Sequence, residues 1–152
     1  MNYDNNDDWS DETDRVLRAA GWYPGRNVST EDWENVLRTH GSFTMHDAAR
    51  LFLAEFGGLE VESRGAGRSM ARMAFRLDPA AAKGEDEIFD ELGDMAGTLL
   101  YPIGEADRRN LYLGIAPDGE VYSGMDSVEL LGVNPRRALR NLVEGVREHE
   151  SS

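Results

Sequence analysis

Apolar positions along this chain follow two spacings. From Ser10 to Phe56 they recur every three or four residues, the period of a helix face; further on, several short stretches alternate as strands do. Ser10 can cap a helix running to about Ala20, with Asp11, Glu12 and Asp14 near its positive end and Val16, Leu17 and Ala20 inward. Gly21 ends it, and Pro24-Gly25 reads as a turn. Ser29 or Thr30 starts a second short helix facing Trp33, Val36 and Leu37 inward, ended near Gly41. The clearest helix begins at Thr44, carries Ala48, Ala49, Phe52, Leu53 and Phe56 on one side, and stops at Gly57.

After Gly58 the pattern changes. Leu59 to Glu62 alternates as a half-buried strand, and Gly65-Ala66-Gly67 is a loop. Residues 69–77 fit a strand with Ala71, Met73, Phe75 and Leu77 inward, or a helix with Met70, Met73, Ala74 and Leu77 aligned. The strand is the better reading, because a hairpin partner lies upstream. Residues 85–96 form an acidic helix with Ile88, Phe89, Leu92 and either Met95 or Ala96 inward. Thr98 to Ile103 is extended. Leu111–Ala116 and Glu120–Ser123 flank Pro117-Asp118-Gly119, a hairpin signal, and Ser127–Leu131 reads as one more short strand. Asn134-Pro135 supplies cap and first-turn proline for a last helix over residues 134–148, striped by Ala138, Leu139, Leu142, Val143 and Val146. This order predicts an α+β fold with a central antiparallel sheet packed with helices, and excludes a βαβ alternation.

Composition narrows the function classes. The chain has 152 residues, enough for one core, and residues 1–8 read as a disordered acidic tail before a single domain over 9–149. A net charge of −13 opposes direct binding to nucleic acid or to an anionic membrane. Cysteine is absent, which removes disulfides and thiolate chemistry. No apolar run is long enough to span a membrane, and the acidic N-terminus is the opposite of a secretory signal, so the expected location is the cytoplasm. The charge is uneven: residues 84–107 hold Glu85, Asp86, Glu87, Asp90, Glu91, Asp94, Glu105 and Asp107 without a base.

Local motifs assemble no catalytic centre. His40, His46 and His149 have no ligand spacing, and His46 at a helix start has an electrostatic explanation. Asp86, Asp90 and Asp94 share a helix face, but a metal site there would want an accompanying histidine. No nucleophile elbow, phosphate loop or dinucleotide fingerprint is present. Glu105 beside Tyr101 or His46 is the one conceivable nucleus of a hydrolase. The expectation is therefore no catalytic residue, no metal, no cofactor and no enzymatic activity. Trp22 and Tyr23, between a helix-ending glycine and a turn, are either a plug on the core or a recognition surface.

Several landmarks occur together in order. They are Ala20-Gly21-Trp22-Tyr23-Pro24-Gly25-Arg26, His46-Asp47-Ala48-Ala49, and Phe52-Leu53-Ala54-Glu55-Phe56-Gly57-Gly58-Leu59. Then follow Gly97 through Leu100, Pro102-Ile103-Gly104-Glu105, Asp118-Gly119-Glu120-Val121-Tyr122 and Ala138-Leu139-Arg140-Asn141-Leu142-Val143-Glu144-Gly145. The series resembles the third subgroup of the bacterial SUKH superfamily over roughly residues 9–147. The resemblance implies an α+β fold and an immunity protein of a polymorphic toxin system, which binds and blocks a cognate toxin domain in the cytosol. Superfamily targets are often nucleases and deaminases, and an acidic protein suits a basic, nucleic-acid-binding cleft. The alternative is a SUKH-type adaptor or regulatory binding module. The candidate partner-binding residues are Asp86, Glu87, Asp90, Glu91, Asp94 and Glu105, with Trp22 and Tyr23 as an aromatic anchor.

Overall fold

The computed structural model describes residues 9–148. The expected tail over residues 1–8, and His149, lie outside the described residues. Three helices come first: α1 (Asp11–Ala19), α2 (Glu31–Thr39) and α3 (Asp47–Phe56). Two short strands follow, β1 (Glu60–Val61) and β2 (Phe75–Arg76), then a 3-10 turn over Pro79–Ala82 and helix α4 (Asp86–Ala96). The chain ends in β3 (Tyr101–Ala106), β4 (Leu111–Ile115), β5 (Val121–Gly124), β6 (Val128–Gly132) and helix α5 (Pro135–Glu144). The strands form one six-stranded sheet in sequence order, each pair antiparallel. The predicted α+β architecture is the one observed.

Local chemistry explains the boundaries. The Ser10 hydroxyl accepts from the Thr13 N–H at 3.1 Å, and the Asn134 side chain accepts from the Arg137 N–H at 2.9 Å. Helix α3 starts at Asp47 rather than Thr44, because His46 is its cap: Nδ1 accepts from the Ala49 N–H at 3.2 Å. The other ring nitrogen, Nε2, donates to the Ile115 carbonyl at 3.0 Å, so one imidazole both caps α3 and ties it to the sheet. Helices α4 and α5 end on glycines in the left-handed region, Gly97 and Gly145.

Alternation along the strands divides the sheet into two faces. On one, Leu113, Ile115, Val121 and Leu131 join the main core with Leu17, Phe52, Phe56, Leu139 and Leu142 from α1, α3 and α5. On the other, Tyr112, Tyr122 and Val128 pack beneath α4 with Phe89 and Leu92. Helix α4 lies close to the strands because glycines face it. A β-carbon at Gly124 would sit 2.7 Å from Leu92, and one at Gly114 would sit 3.3 Å from Phe89.

The expected strand over residues 69–77 is corrected: only Phe75 and Arg76 join the sheet. Residues before them fold across the end of α5, whose last carbonyls lack helical donors. The Ser69 and Met70 N–H groups both donate to the Gly145 carbonyl, at 2.9 and 3.0 Å, and Arg68 N–H donates to Glu144 at 3.3 Å. Gly67 and Gly145 meet here, where a β-carbon on either would collide with the other's backbone.

Helix α5 carries a buried polar row. Asn141 donates from Nδ2 to the Leu131 carbonyl at 2.6 Å and to Glu148 at 3.0 Å. Glu148 also accepts from the Val133 N–H at 2.9 Å and from Arg137 at 3.0 Å. Glu144 is 1% exposed and accepts through Oε2 from the Thr13 hydroxyl at 2.7 Å and from the Ser10 hydroxyl. Its Oε1 has Arg68 at 3.3 Å, without hydrogen-bond alignment.

Two predictions follow from this row. Glu144→Ala strands the Thr13 hydroxyl in a dry site and should lower unfolding free energy by about 3 kcal/mol in urea titrations. Arg68→Ala removes a largely exposed partner and should cost less than about 1 kcal/mol. The second prediction concerns acid. Burial pushes the Glu148 carboxyl up, but hydrogen bonds from Asn141, the Val133 N–H and Arg137 outweigh it and hold it below the ordinary value of 4.5. A depressed folded-state value contributes stability above the unfolded-state value and loses it as pH falls through the folded one. Glu148→Gln should therefore be less stable at neutral pH and lose less stability below pH 4.5, read from melting temperature against pH.

Candidate functional site

Helix α4 turns Phe89, Leu92 and Gly93 inward. Its outer face presents Glu87, Asp90, Glu91 and Asp94 as exposed side chains, with Asp86 half-buried at the start. Among the described residues, none of these five carboxylates is paired with a base. Some acids elsewhere are paired, Asp14 with Arg18, Glu34 and Asp47 with Arg50, Glu55 with Arg136 and Glu129 with Arg147; others, such as Glu31, Asp32 and Asp126, are not, so what marks α4 is that its unpaired acids share one helix face. Asp86 and Glu87 lie in the first turn, where the helix dipole favours acids, but repulsion along the face works against the helix. Asp86/Asp90, Asp90/Asp94 and Glu87/Glu91 are like-charge neighbours one turn apart, each unfavourable by about 0.2–0.5 kcal/mol. Asp94 also lies in the last turn, at the negative end of the helix dipole, where no basic residue answers it.

An open groove of about 940 Å³ runs beside this face. Phe43, Phe89, Leu100 and Tyr101 line it, and Asp90 and Asp94 stand at the α4 side. Met95 is outward, 47% exposed, so of the two expected inward residues Ala96 takes the role. Leu99 is 78% exposed at the same end. Gly93 makes this geometry possible: a β-carbon there would sit 2.7 Å from the Thr98 carbonyl oxygen. The chain can thus double back at Gly97, with Thr98 N–H donating to the Gly93 carbonyl at 3.1 Å. Leu100 then turns into the protein and Leu99 out of it. Sequence reading missed Leu99 and Phe43; the signal available was an apolar pair placed straight after a helix-ending glycine.

The other proposed site residues sit elsewhere. Glu105, 7% exposed on β3, lies 3.4 Å from Arg76, which also has Glu60 at 3.4 Å. It lines a separate cavity of about 190 Å³ with Arg76, Arg108 and Arg109, where acid and base offset one another. Tyr101 and His46 line the larger groove, so Glu105 and the two partners proposed for a hydrolase face different cavities. Trp22 is 5% exposed; its ring stacks on Phe56 at 6.3 Å and its Nε1 donates to Glu55 at 3.1 Å. Tyr23, beside it, is 54% exposed. Trp22 is thus a core residue, and of that pair only Tyr23 offers a ring to a partner. Neither is near α4 in any contact seen.

Tyr112 and Tyr122, on β4 and β5, lie under α4. Tyr112 donates to Glu85 at 3.2 Å, and burial followed by that carboxylate pushes its pKa up. Burial and the Glu120 carboxylate, which accepts from it at 2.8 Å, push Tyr122 up to about 12. Tyr101 is raised as well, by burial first and then by the charge of Glu34, and its hydroxyl has no hydrogen-bond partner. No group of His, Asp or Glu among the described residues is arranged to hold a metal ion, and no described helix is long and apolar enough to cross a membrane.

The landmarks quoted from the sequence can now be placed. Arg26 donates to the Glu55 carbonyl at 2.7 Å, and Glu55 receives Trp22 and Arg136. His46 caps α3; Asn141 and Glu144 form the buried row; Asp118 accepts from the Glu120 N–H at 3.0 Å in the hairpin turn. The family model described as SUKH-3 immunity protein matches residues 9–145, nearly the whole described chain. The chain belongs to the SUKH-3 immunity protein family. No curated protein and no solved structure is a match to it. Membership supports an immunity role in general terms. In this SUKH-3 chain most landmark residues hold the scaffold and the acidic face lies outside them, while the groove takes in His46 and the landmark Gly97 to Leu100.

Tyr101 gives a prediction within this site. Its hydroxyl is buried without a partner, so Tyr101→Phe should leave stability unchanged or raise it by up to about 1 kcal/mol, measured by thermal melting. A clear loss would mean that the hydroxyl is bonded in solution, by water for instance.

Proposed function

We propose that this protein neutralises a cognate toxin domain by stoichiometric occlusion in the cytoplasm, without turnover, and that the toxin acts on nucleic acid. The observation that carries the reading is the α4 face: five carboxylates unpaired among the described residues, gathered on one side of a single helix, in a member of an immunity-protein family. A toxin that handles nucleic acid needs a basic surface to bind phosphates. A carboxylate face competes for that surface and draws it in by long-range attraction. No cofactor, metal or nucleic acid enters this mechanism; the partner is a protein.

The test is co-expression with the toxin encoded beside this gene. Growth should be restored, and protection should require a 1:1 complex seen by size-exclusion chromatography. Protection far below equimolar amounts, with the toxin chemically altered, would instead mean an enzyme. Binding of another cellular protein with no effect on toxicity would favour the adaptor role. In the 1:1 complex, Asp90→Lys with Glu91→Lys should slow association by about tenfold at low ionic strength, with the difference shrinking as salt rises. An unchanged rate in a folded variant would remove this face from the interface.

A further inference from the structure

Charge on α4 accounts for attraction, but a solvated acidic face supplies little lasting affinity. The groove beside it has what the face lacks. Its floor is aromatic and aliphatic, from Phe43, Phe89, Leu100 and Tyr101, and the only charged side chains lining it are Asp90 and Asp94. His46 also lines it, with both ring nitrogens already engaged by the Ala49 N–H and the Ile115 carbonyl. At about 940 Å³ the space exceeds what one side chain fills and suits a short peptide segment. Leu99 and Met95 are two of the five large apolar side chains exposed on the described surface, and both lie at this end of α4. Leu99 is held out by a fixed turn, since Gly97 is left-handed and the Thr98 N–H is bonded back to Gly93. With its backbone already fixed, Leu99 adds no backbone ordering cost on contact, which favours it as an anchor.

We propose that this groove is where the toxin docks: a basic segment carrying an apolar or aromatic side chain seats on Phe43 and Leu99, reaching Met95 on the exposed end of α4 outside the groove, while its cations meet Asp90 and Asp94. The occupant is fixed by complementarity. An apolar floor takes an apolar side chain, and a rim with acids and no base selects a cationic segment over a neutral or acidic one. The two parts divide the kinetics, with the carboxylates setting the association rate and the apolar contact setting dissociation. The proposal rests on the immunity reading and adds the location and chemistry of the contact.

The experiment uses the full-length protein and the purified toxin domain encoded beside its gene, inactivated by an active-site substitution, with kinetics read by surface plasmon resonance. Leu99→Ser and Met95→Ser are the variants, and Leu51→Ser is the control, since Leu51 is 73% exposed on α3 and does not line the groove. All three positions are outward, so melting temperatures should match the parent. Leu99→Ser should raise the dissociation rate by about tenfold or more and Met95→Ser by less, with association within about twofold and Leu51→Ser unchanged. If the parent binds and both Leu99→Ser and Met95→Ser dissociate as it does, or if Leu51→Ser is equally impaired, the groove is not the docking site and the immunity reading stands. If the parent itself does not bind the toxin, the immunity reading fails and the groove assignment with it.

Discussion

A carboxylate enclosed at the C-terminal end of a helix faces two penalties, lost hydration and the negative pole of the helix dipole. Glu144 occupies that position in α5 and is accommodated only because donors are brought to it. The nearest come from the first turn of α1, where the Ser10 and Thr13 hydroxyls turn toward it. Those donors start α1 against α5, and α1 in turn carries Leu17 into the core. Arg68 and the loop around it close the other side, and their backbone N–H groups take up the last carbonyls of α5. Asn141, one turn before Glu144, and Glu148, just past the end of α5, occupy the Leu131 carbonyl and the Val133 N–H at the end of edge strand β6. A free strand edge invites pairing with other chains, and here its end is closed by side chains from the neighbouring helix. The polar row of α5 thus fixes three separate parts of the molecule to a single element.

That row also explains which parts of the fold the sequence disclosed. Helix starts and stops were legible because their causes are local: Ser10 and Asn134-Pro135 cap the helices they precede, and Gly97 ends the one it follows. The sheet strands from Leu111 onward were legible for the same reason, since alternation and the Asp118-Gly119 turn lie within a few residues of one another. Residues 69–77 were not. Their alternation fits a strand, but the Ser69 and Met70 N–H groups are claimed by the Gly145 carbonyl at the end of α5, more than seventy positions away, and no local period contains that information. His46 was read as a helix start, yet its second bond, to Ile115 across the domain, was beyond reach.

The candidate site shows the same division. The outward acids of α4 followed from the helix period alone, because a helix with Phe89 and Leu92 inward must turn Asp90, Glu91 and Asp94 away. Glu105 was grouped with them by sequence proximity and charge, but β3 carries it to Arg76, where it is buried and offset. Trp22 was left open between plug and anchor, and its burial against Phe56 and Glu55 decides for the plug. The groove was invisible, since its walls come from the loop before α3, from α4 and from the chain after Gly97. Only the tertiary fold brings these three together.

Helix α4 can bear an unfavourable outer face because its attachment rests on the inner one. Burying Phe89 and Leu92 contributes about 1.5–3 kcal/mol each, against about 0.2–0.5 kcal/mol for each like-charge neighbour pair outside. The inner contact is made close by Gly114 and Gly124 in the strands beneath, and by Gly93 on the helix itself. The outer residues touch none of these, so they can be exchanged without disturbing what holds the helix down. A protein that must match one partner among many needs this separation, because a surface altered to fit a new partner would otherwise unfold the domain carrying it. On the proposed reading, α4 is such a surface: the polar row of α5 and the landmark residues keep the scaffold, while the outward carboxylates are free to be fitted to one toxin.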